Sequence, residues 1–394
     1  MNKKVVFCES GYNIFYGAQQ SLYNFLINAD QDEIDTIALS PGRGLFTEKL
    51  EEKSIKVETV EYPQELDKTG GQIRNGGVIS KFRTLMGFIK YIKKCISYFR
   101  SKNIDLVYCN DIRSILTCGL AAKLSGIPVL WYVRIDKNLG IFNHIGANIA
   151  NHIVVIADSI KNIFNDKYIF GSKNKFSTVY TGIDLAHVDS VKSDDLLRDE
   201  LNMESDVRLV GTIASIQPRK GQKDLINSIV KLSKDNSDVL ENTKFLIVGD
   251  TLSPSEKEYL EEIKQIIKNN NLDDYFYFLG WRKDILNIMK QLDLVVLPSY
   301  SEGLPRTVLE SLACSCPVIS TDVAGTGEIV DHETNGILVP PGDVGSLAEA
   351  LDHMLSDKTR LRVMGIDARK KIEEKFKMEK YVNNFQNLIL ETAK

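Results

Sequence analysis

The sequence predicts an α/β protein with two Rossmann-like, doubly wound domains that face a central cleft. Short apolar runs rich in Val, Ile and Leu alternate with helical segments in both halves of the chain, which is typical of parallel sheets covered by helices on both faces. The length of 394 residues exceeds what one hydrophobic core usually accommodates. Hydrophobic residues make up 43% and charged residues 26% of the chain, as in soluble globular proteins.

The N-terminal domain is predicted to span residues 1–184. Its first strand leads into the glycine-bearing loop Ser10–Gly17, and a helix with an apolar face follows. Further strands alternate with helical stretches up to the end of the domain. The predicted strands are Val5–Glu9, Thr36–Leu39, Lys56–Glu61, Asp105–Asn110, Pro128–Arg134 and His152–Ala157.

A polar, charged segment at residues 185–206 interrupts this alternation and is predicted to be a linker. The C-terminal domain, residues 207–376, then repeats the pattern. Residues 377–394 are predicted to form a helix that returns to the N-terminal domain. The predicted strands of the second domain are Arg208–Ala214, Thr243–Val248, Tyr275–Leu279, Leu292–Leu297, Pro317–Thr321 and Gly336–Val339.

The segment Ser299–Gly327 concentrates groups that suit a phosphate-bearing ligand. It leaves the carboxyl end of a strand, where doubly wound sheets bind their ligands. Gly303 allows close backbone approach, and Pro305 suits the first turn of a helix whose free N–H groups can hold phosphate. Glu302 lies at the mouth of this helix, and Glu310 lies on its flank, roughly 7.5 Å beyond Pro305. This arrangement favours a nucleotide-sugar site.

Six segments of the second half match, in order, the motifs of one enzyme family. Lys220–Gly221 follows the first strand, and Glu302 and Glu310 form a Glu-x7-Glu pair. The other four segments are LIVGD at 246–250, FLGWRKDI at 278–285, PVISTDVAGTGEIV at 317–330 and NGILVPPGD at 335–343. The chain therefore resembles the retaining glycosyltransferases of family 4, the glycosyl transferases group 1, which have the GT-B fold. TGID at 181–184 is similar to a further family motif.

The resemblance implies a hexosyltransferase whose second domain binds the nucleotide sugar and whose first domain binds the acceptor. Glu302 would contact the sugar, and Glu310 would accept the ribose hydroxyls. The residues implied in catalysis are Glu302, Lys220 and Arg219. The residues implied in donor binding are Glu310, Gly303, Leu304, Pro305, Trp281, Arg282 and Gly17. Simpler interpretations remain open for some of them: solvated charges for Lys220 and Arg219, a lysine-paired glutamate for Glu310, and surface packing for Trp281.

Two positions depart from the family pattern. The family usually has a histidine that touches the transferred sugar, and this chain has Arg134 and Asp136 near that position. We assign them to the acceptor or sugar side; a salt-bridged pair without a catalytic role is the alternative. The arginine that usually ends the first strand of the second domain is replaced by Ser215, and Arg219 is the candidate substitute.

No DxD-type acidic cluster is placed to bring a metal to the predicted site, so neither a metal nor another cofactor is expected, and a front-face mechanism with retention is favoured. UDP-sugars are the first choice of donor, with GDP-mannose second. The expected acceptor is a glycan or a lipid-linked precursor of a bacterial surface polysaccharide, and no nucleic-acid partner is expected. The alternatives are a nucleotide-sugar epimerase on the same fold and a catalytically silent nucleotide-binding subunit. A nicotinamide-dependent oxidoreductase is disfavoured because no GxGxxG follows the first strand.

A basic amphipathic stretch at residues 81–102 has seven Lys or Arg residues and no acids. Residues 1–184 have a net charge of +5, from 23 basic and 18 acidic residues, whereas the rest of the chain has −9. Such a helix packs on the sheet by default, with its charges in water; the functional interpretation is docking on an anionic membrane surface. No apolar run is long enough to span a bilayer, no signal-peptide segment is present, and the six scattered cysteines indicate free thiols. We therefore expect a cytoplasmic protein that is peripheral to the inner face of the plasma membrane.

Overall fold

The computed structural model describes residues 2–63, 65–66, 78–171, 175–192 and 196–394. The chain divides into two compact units. The first consists of the chain up to Thr181 together with Glu379–Lys394, and the second consists of Gly182–Met378. No helix among the described residues is both long enough and apolar enough to cross a membrane. All six cysteines are free, and only Cys314 is not fully buried.

The described residues of the first unit form a seven-stranded parallel sheet with the order β3-β2-β1-β4-β5-β6-β7. Its central strands are buried on both faces, in agreement with their continuous apolar runs. Six strands overlap the predicted ones, and the short edge strand β7 was not predicted. The strands are β1 (Lys3–Cys8), β2 (Ile34–Ser40), β3 (Val57–Thr59), β4 (Leu106–Cys109), β5 (Val129–Val133), β6 (His152–Val155) and β7 (Phe176–Thr178).

The helices of this unit cover the sheet. They are α1 (Gly17–Asn28), α2 (Leu45–Glu51), α3 (Val78–Lys102), α4 (Ile112–Ser114), α5 (Leu120–Leu124) and α6 (Ile141–Ile149). A π-helical segment, Ile115–Gly119, joins α4 to α5, and two 3-10 helices follow β6, at Asp158–Ile163 and Asp166–Tyr168. The Asp111 side chain caps α4 by accepting from the backbone of Arg113 and Ser114.

The second unit has a six-stranded parallel sheet with the order β10-β9-β8-β11-β12-β13 among its described residues. All six strands overlap the predicted ones. They are β8 (Arg208–Ile213), β9 (Thr243–Val248), β10 (Phe276–Gly280), β11 (Leu294–Leu297), β12 (Val318–Thr321) and β13 (Gly336–Val339). The order reverses between β8 and β11, and between β1 and β4 in the first sheet. Such switch points are where doubly wound sheets bind ligands.

The remaining α-helices belong to the second unit except for the last one. They are α7 (Leu185–Ser190), α8 (Leu196–Glu200), α9 (Gln222–Lys234), α10 (Pro254–Asn269), α11 (Ile285–Gln291), α12 (Arg306–Ala313), α13 (Thr326–Ile329), α14 (Val344–Leu355), α15 (Lys358–Lys375) and α16 (Met378–Thr392). The described residues of this unit also form 3-10 helices at Pro218–Lys220, Asp238–Leu240 and Asp273–Tyr275. The segment 185–206, predicted as a linker, belongs to the second unit and contains α7 and α8; residues 193–195 lie outside the described part.

Helix α16 packs on the first unit through an aromatic cluster. The fully buried ring of Phe385 lies 4.6 Å from Phe25, 5.3 Å from Tyr132 and 5.5 Å from Tyr108, measured between ring centroids. The Tyr381 hydroxyl donates to the backbone carbonyl of Ser21 at 3.2 Å. Helix α16 therefore contributes to the hydrophobic core of the first unit.

Phe385→Ala should lower the free energy of unfolding of the first unit by about 3–5 kcal/mol, because it leaves a cavity among three aromatic rings. Urea unfolding followed by the fluorescence of Trp131, which is buried in the same unit, measures this loss in a Trp281→Phe background. The matched control is Asn384→Ala on the exposed side of α16, where a change within about 0.5 kcal/mol is expected. Equal behaviour of the two variants would contradict the packing described.

Candidate active site

The loop after β8 meets the loop after β11 at the switch point of the second sheet. The 3-10 helix Pro218–Lys220 ends at Gly221, which has the left-handed φ of +69°. A Cβ atom at Gly221 would lie 1.9 Å from the carbonyl oxygen of Pro298. Only glycine allows this approach, because the conformation and the contact both exclude a side chain. The Lys-Gly pair therefore brings Lys220 to the loop that contains Glu302.

Three hydrogen bonds join these loops. The Lys220 ammonium donates to Glu302 Oε1 at 2.7 Å, and the two side chains are only 16% and 10% exposed. Arg219 Nη1 donates to the Ser301 carbonyl at 2.7 Å, and the Tyr300 backbone N–H donates to the Arg219 carbonyl at 2.9 Å. The structure thus brings together the three residues that the sequence implied in catalysis.

The start of α12 presents free N–H groups beside this ion pair. Pro305 is the N-cap residue with ψ of 110°, so it lies one position before the helix rather than inside its first turn. Within the described part of the chain, the backbone N–H groups of Gly303, Leu304 and Arg306 donate no hydrogen bond. Thr307 Oγ1 donates to the Ile213 carbonyl at 3.1 Å and ties the helix start to β8. Free N–H groups and the helix dipole make this a favourable place for an anion.

Glu310 lies one turn along the same helix, half-buried. Arg306 Nε donates to its Oε1 atom at 2.6 Å, so its ionic partner is an arginine four residues earlier and not a lysine. The other oxygen, Oε2, accepts no hydrogen bond from the described residues. One face of the carboxylate is therefore free to accept hydroxyl groups from a ligand.

The turn after β10 is held by its charged side chains. Gly280 has the left-handed φ of +63°, which lets the chain reverse. Arg282 forms ion pairs with Asp284 in the turn and with Glu200 on α8, both at 2.8 Å. Hydrogen bonds from Arg282 lower the pKa of Asp284. Trp281 is 66% exposed, so its indole ring is not part of the core. The segment predicted as a linker thus contributes a brace to this turn.

Ser215 cannot replace the family's arginine by charge, and the structure shows what it does instead. Its carbonyl accepts from the Gln222 amide at 2.9 Å, and its hydroxyl accepts from the Gln217 amide at 2.6 Å. These contacts order the loop that leads to Lys220. Arg219 is exposed and reaches the backbone beside Glu302, which keeps it the candidate for the missing positive charge.

In the first unit, Gly17 and Arg134 have different surroundings. Gly17 is the first residue of α1, and an added Cβ would meet no protein atom within 4 Å, so space for a ligand remains there. Arg134 is buried and donates to Asn110 at 2.9 Å and to Ser21 at 2.8 Å, and its guanidinium stacks on the Tyr132 ring at 3.7 Å. This burial favours a structural role for Arg134.

Asp136 is half-exposed, and the described residues show no ion pair between it and Arg134. The alternative of a salt-bridged pair is therefore not what the structure contains. The two residues have different surroundings. Arg134 belongs to a buried hydrogen-bond network, and Asp136 lies near solvent after β5. Asp136 keeps its prediction as a residue of the acceptor side.

A polar cluster at the switch point of the first sheet was not predicted. Glu9 follows β1 and is buried; its Oε1 accepts from the Gly11 backbone N–H at 2.6 Å, and its Oε2 accepts from the Asn110 amide at 2.5 Å. The oxygen of the same Asn110 amide accepts from Arg134. Asn110 therefore links a buried carboxylate to a buried guanidinium. The available signal was that two predicted strands ended in Glu9 and Asn110.

Burial and, to a lesser degree, the nearby Asp111 carboxylate raise the pKa of Glu9, and the bonds from Asn110, Gly11 and Gln19 oppose the shift; the net pKa is about 7. Asp111 also accepts from the Ser10 backbone N–H at 2.9 Å. The loop that begins at Ser10 is thus held by two carboxylates, one of which changes its charge near neutral pH.

Comparisons with known proteins show what the chain is similar to. Residues 193–371 match the family profile "Glycosyl transferases group 1". The chain is 25% identical over 335 residues to the Escherichia coli UDP-Gal:alpha-D-GlcNAc-diphosphoundecaprenol alpha-1,3-galactosyltransferase, covering 81% of each chain. It is 24% identical over 375 residues to the Campylobacter jejuni N,N'-diacetylbacillosaminyl-diphospho-undecaprenol alpha-1,3-N-acetylgalactosaminyltransferase, covering 88% of this chain and 90% of that one. The crystal structure of Anabaena HepE in complex with UDP superposes with a TM-score of 0.80 at 21% identity, covering 99% of this chain and 100% of that chain.

The two parallel sheets, the paired loops at the second switch point and these relatives define a glycosyltransferase with the GT-B fold, as the sequence predicted. Within that class, residues 193–371 of the second unit match the profile of the glycosyl transferases group 1. The enzyme is a hexosyltransferase.

Glu9→Gln should remove a pH-dependent part of the stability of the first unit. Because the folded-state pKa of about 7 exceeds the ordinary value, this carboxyl stabilises the fold fully below about pH 4.5, and the contribution disappears as the pH rises through 7. From pH 5 to pH 8, the wild type should therefore lose roughly 2–4 kcal/mol relative to the variant.

Urea unfolding at both pH values, followed by Trp131 fluorescence in the Trp281→Phe background, measures this difference. Glu48→Gln, an exposed carboxylate on α2 of the same unit, is the matched control and should keep the wild-type pH dependence. A constant difference between wild type and Glu9→Gln across this range would contradict the assignment.

Proposed function

We propose that the enzyme transfers a hexose from a nucleotide sugar to a glycan or lipid-linked acceptor of bacterial surface polysaccharide synthesis, with retention of anomeric configuration and without a metal ion. The central support is the contact between Lys220 and Glu302 beside the free N–H groups at the start of α12. This site offers positive charge for a diphosphate and a carboxylate for a sugar within one pair of loops.

UDP-hexoses are the donors that the relatives favour. The E. coli relative is named as using UDP-Gal, and HepE crystals contain UDP, UDP with glucose, or UDP-glucose. The E. coli and C. jejuni relatives are both named for diphosphoundecaprenol-linked sugars. By analogy, a lipid diphosphate with one or more sugars is the acceptor that we propose. GDP-mannose remains the second choice of donor.

The leaving diphosphate gains negative charge as the bond to the anomeric carbon breaks. An ammonium group has three N–H donors, and one of those of Lys220 is used by Glu302. Two remain for phosphate oxygens. The N–H groups of Gly303, Leu304 and Arg306 and the guanidinium of Arg219 would add to this charge stabilisation.

Glu302 would face the transferred sugar, because Lys220 occupies one of its two oxygens and leaves the other for a sugar hydroxyl. In the front-face mechanism the acceptor oxygen bonds to the anomeric carbon while the bond to the diphosphate breaks. The acceptor proton passes to the leaving phosphate oxygen. The Glu302 carboxylate, held in place by Lys220, would stabilise the cationic character of the sugar.

Glu310 would hold the ribose. Its Oε2 atom is free to accept the hydroxyl groups, while Arg306 fixes the position of the carboxylate through Oε1. The braced turn at Trp281 and Arg282 would bind the base through backbone atoms. Gly17, in the first unit, has open space beside it and stays a predicted donor-binding residue. These roles assign each donor-binding residue of the second unit to one part of the nucleotide.

Helix α3 supports a membrane-facing surface on the first unit. Its side chains Phe82, Leu85, Met86 and Ile89 are 40–63% exposed, and their i, i+3, i+4, i+7 spacing places them on one face. Tyr91, Cys95 and Phe99 of the same helix are buried, so the helix packs on the unit with another face. Lys90, Lys93 and Lys94 are exposed. We propose that the apolar face enters the headgroup region while these lysines contact anionic lipids.

Glu302→Gln should lower turnover by about 100-fold or more, since removal of one charged group from such a site costs roughly 3 kcal/mol of transition-state stabilisation. UDP binding should survive, because the phosphate donors remain. Release of free UDP from a UDP-hexose in the presence of a lipid-linked acceptor measures turnover, and a thermal-shift series with UDP, GDP and ADP measures binding.

The thermal-shift series has its own expected result: UDP stabilises the wild type, by about 2.7 kcal/mol at a hundredfold excess over Kd. Glu328→Gln on α13 is the control exchange outside the proposed site and should keep its turnover. Wild-type turnover in Glu302→Gln would contradict the role given to this carboxylate.

Charge reversal of Lys90, Lys93 and Lys94 to glutamate should weaken sedimentation with phosphatidylglycerol vesicles by roughly 100-fold, because each basic group near an anionic surface contributes about 1 kcal/mol. The same exchange at Lys257, Lys264 and Lys268 on α10 is the matched control and should leave sedimentation unchanged. Equal sedimentation of the two triple variants would refute docking through α3.

A further inference from the structure

A cavity lies beside the Lys220–Glu302 pair, within the second unit. It has a volume of about 430 Å³, which is in the range of ligand pockets. Arg219 belongs to both places, since it lines the cavity and donates to the backbone beside Glu302. The residues that line the cavity are Pro218, Arg219, Gly221, Lys223, Asp224, Tyr259 and Tyr300.

Two tyrosine rings form much of this lining and are fixed by the fold. The hydroxyl of Tyr259, on α10, accepts from the Lys223 backbone N–H at 2.9 Å. The ring of Tyr300 lies against Gly342, where an added Cβ would be 3.3 Å away, and the residue is still 49% exposed. The cavity therefore has aromatic surface that a ligand can reach and that needs no rearrangement.

One carboxylate oxygen of the cavity has no hydrogen-bond donor. The Oδ2 atom of Asp224 is buried and lacks a partner at bonding geometry among the described residues. A hydrogen bond with the Asp224 carboxylate and, to a lesser degree, burial raise the pKa of Tyr300 to about 12. The nearby Lys223 ammonium is paired with Glu262 instead. An unsatisfied buried acceptor of this kind is costly, and a ligand hydroxyl would satisfy it once the Asp224 side chain turns toward the cavity.

We propose that this cavity is a carbohydrate subsite that binds a pyranose ring of the acceptor glycan. A pyranose has apolar C–H faces that pack on aromatic rings such as Tyr300, and hydroxyl groups around its edge that donate to a carboxylate such as Asp224. Arg219 connects this subsite to the predicted catalytic pair. The choice of a glycan ligand rests on the proposed transferase function.

Saturation-transfer NMR with three probes tests the subsite: the methyl α-glycosides of glucose, galactose and N-acetylglucosamine, each added to the full chain in the presence of saturating UDP. At least one glycoside should bind while UDP is present. Asp224→Asn and Tyr300→Ala should each weaken that binding by about tenfold or more, as expected for loss of a charged hydrogen bond or of an aromatic face. Asp235→Asn, four residues after the exposed Lys231 on α9, and Tyr168→Ala in the first unit are the matched controls and should bind as wild type.

Each variant is also tested for thermal stabilisation by UDP, which separates the two proposals. If UDP does not stabilise the wild type, the result contradicts the proposed donor site and not the carbohydrate subsite. Failure of all three glycosides to bind, displacement of the bound glycoside by UDP, or wild-type affinity in both Asp224→Asn and Tyr300→Ala overturns the subsite. Displacement by UDP would mean that the cavity holds part of the nucleotide.

Discussion

The close approach of Gly221 to the carbonyl of Pro298 is the constraint on which the candidate site depends. Gly221 follows β8 and Pro298 follows the adjacent strand β11, although the two residues are 77 positions apart in the sequence. A side chain at Gly221 would force the loops apart, and Lys220 would then no longer reach Glu302. The anion-binding start of α12 is tied to the same point by Thr307 and the carbonyl of Ile213. The positions of the Lys220 ammonium, the Glu302 carboxylate and the free N–H groups of α12 therefore all depend on the contact between Gly221 and Pro298.

At the switch point of the first unit, a carboxylate and a guanidinium are both buried. Burying a guanidinium and a carboxylate costs several kcal/mol each unless both are hydrogen-bonded. Arg134 and Glu9 are not in direct contact; the Asn110 amide accepts from one and donates to the other. Such a bridge spreads the opposite charges over three strand ends, β1, β4 and β5.

The sequence alone determined the positions of the strands and of the main motifs. Continuous Val, Ile and Leu runs bounded by polar turns located all six strands of the second sheet, because buried parallel strands need apolar residues on both faces. In the first sheet, the same pattern located every strand except β7. Residues Phe176–Thr178 of β7 are only half-buried at the sheet edge and therefore lack the continuous apolar run. The class of enzyme was likewise predicted from short motifs. The glycines and prolines of these motifs are required locally, by the backbone conformation of a turn or of a helix start.

Only the tertiary structure decided which partner each polar side chain has. Arg134 and Asp136 are two residues apart, and sequence could not distinguish a salt bridge from the observed burial of one and exposure of the other. The brace between Arg282 and Glu200, the Asn110 bridge and the cavity at Asp224 and Tyr300 all join residues that are distant along the chain. Such contacts depend on strand order and side-chain geometry, whereas hydrophobic periodicity reports only the face that a residue presents to the core.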